Sequence, residues 1–109
     1  MKRRVRDPIK STDDLVSRIK QSRSELLSLG IASIALFGSF ARGTQKRRSD
    51  VDLLVTFAAG QKSFDHFMEA SFLLERVMSR KVQLITRESL TPKFTARIEK
   101  DLIDVSLIE

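Results

Sequence analysis

Two short apolar runs set the terms on which this chain can fold. Ile31–Phe37 (IASIALF) and Val51–Phe57 (VDLLVTF) are each seven residues long and apolar along most of their length. They are bounded by Gly-containing polar segments, which makes each a buried strand rather than a piece of helix. Strands of this kind need cover on both faces, and the rest of the sequence supplies helices to provide it. Ser11 opens a capping box with Asp14, ahead of the apolar positions Leu15, Val16, Ile19, Leu26 and Leu27. This pattern predicts one helix closed at Leu29-Gly30. Ser63 can cap a helix carrying Phe64, Phe67, Met68, Ala70, Leu73, Leu74, Val77 and Met78. Val82–Ile85 reads as a third strand, and Thr91-Pro92 starts a last helix with Phe94, Ile98 and Leu102 one turn apart. Asp104–Glu109 is a candidate fourth strand. The expected fold class is therefore α/β (α+β), a small mixed sheet of three to four strands covered by helices.

With 109 residues, the chain is one domain's worth. Residues 1–10 read as a basic flexible arm, and 11–109 as the domain, with no internal repeat. Cysteine is absent, which excludes disulfides, thiolate zinc sites and cysteine nucleophiles. The single histidine, His66, argues against a histidine metal site or a Ser-His-Asp triad. Any metal must then be held by oxygen, which favours Mg²⁺ or Mn²⁺. The net charge of +6 suits an anionic partner: a nucleotide, a nucleic acid or an acidic protein. No apolar run reaches the roughly 18–20 residues of a membrane span. Polar residues follow the basic start Met1–Arg6, unlike a signal peptide. A cytoplasmic protein is the expectation.

Three features meet between residues 37 and 52. At Phe37-Gly38-Ser39 a strand ends in a turn where Gly38 lets the backbone approach a ligand. There Ser39 offers a hydroxyl and an N–H at the possible start of a short helix. Asp50-Val51-Asp52 puts two carboxylates on one side of a strand, with alpha carbons roughly 6.6 Å apart. Their repulsion should raise one pKa unless a cation lies between them. A pair of Mg²⁺ ions would relieve it and leave room for a triphosphate. Between these lie Arg42, Lys46, Arg47 and Arg48. Arg42, three residues after Ser39, can fork onto phosphate oxygens. Lys46 and Arg47 read as a solvated charge run. Taken singly, each feature also fits ordinary chemistry: a turn, a solvated strand end, a surface arginine.

Together, Gly38-Ser39-Phe40-Ala41-Arg42-Gly43 followed by Ser49-Asp50-Val51-Asp52-Leu53-Leu54-Val55 resembles the signature of the nucleotidyltransferase superfamily that includes DNA polymerase beta. More narrowly it looks like the minimal nucleotidyltransferases of prokaryotes. These are small single domains usually encoded beside a HEPN-domain partner as a toxin–antitoxin pair. The resemblance covers roughly residues 12–109. It implies the polymerase beta-like fold, with Gly38, Ser39 and Arg42 cradling the phosphates of ATP. It further implies that Asp50 and Asp52 are catalytic and hold Mg²⁺ (or Mn²⁺). The implied reaction places AMP on a hydroxyl, a tyrosine, of the HEPN toxin.

One position departs from the family pattern. The family's third acid stands in a strand reading Val-Asp-Leu-Val, and this chain has Val82-Gln83-Leu84-Ile85. Gln83 is neutral and cannot serve as a base. Three outcomes follow: transfer through metal activation alone, recruitment of another acid (Glu75, Glu88 or Asp104), or an antitoxin that neutralises its partner by binding. A nucleic-acid-binding module is a further reading of the charge, with Lys2, Arg3, Arg4 and Arg6 as an arm for RNA or DNA. His66 reads as a packing or cap residue, and Phe64, Phe67 and Phe72 as core.

Overall fold

Both apolar runs become the central strands of a four-stranded sheet. The structure is a computed structural model that describes residues 7–107. The arm residues Lys2, Arg3, Arg4 and Arg6 lie outside the described residues. Strands β1 (Ile31–Phe37) and β2 (Val51–Phe57) pair antiparallel, with Leu36 opposite Leu53 and Phe37 opposite Asp52. Strand β3 (Val82–Thr86) runs parallel to β2, and β4 (Ile103–Val105) runs antiparallel to β1. The order β3-β2-β1-β4 is the expected mixed sheet. Parallel neighbours need a crossover. Helix α4 (Phe64–Met78) makes it, capped at Ser63, whose hydroxyl accepts the His66 N–H.

Because side chains alternate along a strand, the sheet has two unlike faces. On one, Leu36, Val51, Leu53 and Val55 meet Leu15, Ile19, Leu26, Leu74 and Met78 from helices α1 (Thr12–Gln21), α2 (Arg23–Ser28) and α4. On the other, Ala35, Phe37 and Leu54 meet Ile98 of α5 (Pro92–Ile98), with Ile85, Leu90, Phe94 and Leu102 half-buried beside them. The rings of Phe37 and Phe94 stand edge to face, 5.8 Å apart. Among the described residues no helix is long and apolar enough to cross a membrane.

Helix α5 stops at Ile98 and does not include Leu102, which lies just before β4. Three further expectations need correction. The single helix over 11–30 is two, broken at Ser22, whose N–H reaches the carbonyls of Arg18 and Ile19. Ser22 is buried on the same stripe as Leu15, Ile19 and Leu26, so the apolar spacing runs through the break unchanged. The domain also starts before residue 11. Ile9 is fully buried, and its N–H donates to the carbonyl of Met78. Finally, Phe64 and Phe72 are not core: they are 78% and 57% exposed, while Phe67 is half-buried. Helix α4 turns Leu73, Leu74, Val77 and Met78 inward, and the described residues leave those two rings largely uncovered.

Candidate active site

The end of β1 sets the site. After Phe37 the chain turns at Gly38, whose φ of +74° lies in the left-handed region. It then makes the five-residue helix α3 (Gly38–Arg42), closed by Gly43. The pairing of Phe37 with Asp52 brings this turn onto the acid. A Cβ built on Gly38 would lie 2.2 Å from Asp52 Oδ2 and 3.1 Å from its Cγ. Glycine is thus required twice, for its backbone angle and for the space a carboxylate occupies. Ser39 is half-buried, and its carbonyl accepts the N–H groups of Gly43 and Thr44. The first N–H groups of any helix lack intrahelical acceptors, so the start of α3 brings donors to the neighbourhood of Asp52.

Asp50 precedes β2 and is exposed, whereas Asp52 is half-buried within it. Burial, and then the Asp50 carboxylate, push the Asp52 carboxyl above its ordinary value, and the Arg42 guanidinium opposes them. The repulsion expected from the Asp-x-Asp spacing is therefore present. Gln83 is the direct partner of Asp52 on β3, so the two side chains share one side of the sheet. Of the alternative acids, Glu75 is committed elsewhere, since its Oε2 accepts the Val82 N–H. Asp104 pairs with Ala35 on β4, two strands from Asp52. Glu88 is exposed in the 3₁₀ turn Arg87–Ser89.

Among the described residues no group of three or more His, Cys, Asp or Glu could by itself hold a metal. Mg²⁺ needs no such cage, because it is commonly held by one or two carboxylates completed by phosphates and water. Two neighbouring carboxylates, one of them with its pKa raised by burial and then by the other's charge, form a donor set that such a cation suits.

Arg42 is half exposed, and its Nη1 lies 3.1 Å from Oδ2 of Asp101, just before β4. The partner was not legible in the sequence, being 59 positions away. The basic connection folds on itself: the Lys46 N–H donates to Ser49 Oγ, and the Ser49 N–H to the Lys46 carbonyl. His66 Nδ1 lies 2.6 Å from the Gln61 carbonyl at the start of α4, a cap contact as expected. Arg80, which no sequence pattern singles out, contacts Phe40 next to Ser39 and the carbonyl of Ser49 next to Asp50.

Comparison with known proteins identifies the family of the fold. The nucleotidyltransferase domain family matches residues 16–105. MJ1379 of Methanocaldococcus jannaschii, provisionally named a protein adenylyltransferase, is 44% identical over 77 residues, covering 69% of this chain and 77% of its own length. The protein adenylyltransferase MntA of Thermococcus cleftensis is 30% identical over 94 residues, 85% of this chain and 94% of its own. A solved structure assigned as a minimal nucleotidyltransferase superposes with a TM-score of 0.74 at 26% identity, over 86% of this chain and 95% of that one. A toxin–antitoxin crystal structure with AMP-PNP gives 0.63 at 25% identity, over 79% and 71%. With the Gly-Ser bend seated on Asp52 of β2 and the match running from α1 to β4, this chain belongs to the nucleotidyltransferase domain family, in its minimal nucleotidyltransferase branch.

Proposed function

We propose that this chain is a Mg²⁺-dependent protein adenylyltransferase that moves AMP from ATP to a tyrosine hydroxyl of a cognate HEPN ribonuclease toxin, and so acts as its antitoxin. The observation that carries the reading is the contact of Gly38 with the Asp52 carboxylate, which joins a phosphate-type turn to a pair of acids. Relatives named as protein adenylyltransferases and the toxin–antitoxin neighbour with AMP-PNP support the choice of nucleotide and partner class.

In this reading Gly38, Ser39 and Arg42 hold the β- and γ-phosphates, and Asp50 and Asp52 hold Mg²⁺ (or Mn²⁺). The bound ion supplies charge neutralisation for the triphosphate and its leaving group. The acceptor oxygen bonds to the α-phosphorus, the bond to the bridging oxygen breaks, and pyrophosphate departs. Gln83 can orient the acceptor hydroxyl or a water by hydrogen bonding, but it cannot take the proton, which passes to solvent. Arg42 is steadied by Asp101 rather than swinging free.

A second reading is favoured by one position: with Gln83 facing Asp52, the antitoxin neutralises its partner by binding, without turnover. One experiment separates the two. The toxin is incubated with this protein, ATP and Mg²⁺, then weighed by mass spectrometry. Transfer predicts a gain of one or more AMP units, lost in Asp50→Asn and Asp52→Asn. Gln83→Asp should speed it by about 10²–10⁴, the usual worth of a general base. An unmodified toxin that is still neutralised, with ATP intact, overturns transfer. A gain of transfer by Gln83→Asp in that case establishes the binding reading.

A further inference from the structure

The two halves of the site sit on different pieces of backbone: the bend on α3, and Asp50 at the end of the connection 43–50, which has no regular structure. The first part of that connection is held by the Gly43 and Thr44 N–H groups on the Ser39 carbonyl and by Gln45 Nε2, which donates to the Lys10 carbonyl at 2.9 Å; the part nearer Asp50 has the Lys46–Ser49 turn. Arg80 holds that part from outside. It follows Ser79, the left-handed residue that ends α4, and is half-buried. Its Nη1 donates to the carbonyls of Arg47 at 2.8 Å and Ser49 at 3.0 Å, with that of Lys46 at 3.5 Å. Its Nε donates to the Ile9 carbonyl at 2.8 Å. Its guanidinium lies 5.1 Å from the ring centroid of Phe40, the fully buried residue next to Ser39. The residue after Arg80 completes the hold, since the Val51 N–H donates to the Lys81 carbonyl at 2.9 Å.

We infer that Arg80 is a positioning residue that clamps Asp50 in register with the Gly38–Ser39 bend. Both peptide groups flanking Asp50 are tied to residues 80 and 81, and the same guanidinium rests on α3. Only arginine has a planar fork of donors that can serve separate carbonyls while stacking on a ring; a lysine ammonium is a compact point charge. The inference rests on reading Asp50 as a metal ligand, because the consequence of the clamp is metal affinity. Residues that orient a ligand from behind typically govern that affinity by about 10–100-fold.

The test uses the full chain with AMP-PNP and Mn²⁺, following free Mn²⁺ by electron paramagnetic resonance. Arg80→Lys should weaken Mn²⁺ binding about 10–100-fold. The control is Arg18→Lys, because Arg18 makes a similar bond to a carbonyl, that of Val77 at 2.9 Å, on the helical side. It should bind Mn²⁺ as wild type does, even where it costs as much thermal stability. Phe40→Leu keeps an apolar side chain but removes the ring under the guanidinium, and should give a smaller loss of the same sign. It is read the same way if Arg80→Lys does not fold. In the metal-free protein, amide exchange at Ser49 and Val51 should quicken in Arg80→Lys. Wild-type Mn²⁺ affinity in Arg80→Lys, or a loss matched by Arg18→Lys, overturns the clamp. If the wild type binds no Mn²⁺, Asp50 loses its proposed role. Exchange then decides the clamp alone: faster supports it, unchanged overturns it.

Discussion

The two faces of the sheet are built for different ends. Beneath α1, α2 and α4 the face is apolar along all four strands, with Leu36, Leu53, Val55, Val82 and Val105 in one continuous core. The face under α5 makes a smaller cluster with that helix, four buried residues among those described (Ala35, Phe37, Leu54 and Ile98), and its end next to Phe37 is occupied by Asp52 and Gln83. Stability is concentrated on one face, so the other can carry repelling charges at the centre of the sheet. A domain this small has little stability to spare, on the order of 5–15 kcal/mol, which makes that division necessary.

Substitutions on the two faces should therefore separate folding from chemistry. Leu53→Ala, on the large core, should cost about 2–5 kcal/mol in urea unfolding, and the fraction that stays folded should keep full activity per molecule. Inactivity of the folded fraction would break the comparison. Gly38→Ala, on the other face, should cost less stability, about 1–3 kcal/mol for its strained backbone angle. It should nonetheless abolish transfer, because the new methyl displaces Asp52. Transfer at the wild-type rate would show that the bend does not need its contact with the acid.

The third substitution has the smallest effect on folding and the opposite sign. With its pKa raised in the folded state, Asp52 binds protons more tightly there than in the unfolded chain. Stability of the metal-free protein must then fall as pH rises from the ordinary carboxylate range through the raised value. Asp52→Asn should raise Tm at neutral pH, with a gain that vanishes on acidification, and should abolish transfer. A Tm below wild type at neutral pH would mean that the carboxylate stabilises the fold.

Much of this was legible because local rules and tertiary needs agreed. Ile31–Phe37 and Val51–Phe57 are strands with the expected bounds, and Ser63 and Thr91 cap the helices they were expected to cap. The Gly-Ser bend and the Asp-x-Asp pair could be read together because a single antiparallel pairing joins them. The rest depends on packing. Ser22 lies on the apolar stripe while breaking the helix, which periodicity cannot register. Phe64 and Phe72 satisfy helical spacing, but whether a ring is covered depends on what lies opposite. Arg80 could not be singled out among so many basic residues, because its partners are carbonyls, which leave no mark in a sequence.

The strand order has an evolutionary consequence. Bend and acid pair belong to one hairpin of neighbouring strands, whereas position 83 reaches them only after a long detour through α4. Its side chain is exposed and supports no core, so exchanging it leaves the hairpin's half of the candidate site intact. A lineage could thus switch between a carboxylate and an amide there by a few nucleotide changes, altering chemical output while the scaffold stays as it was.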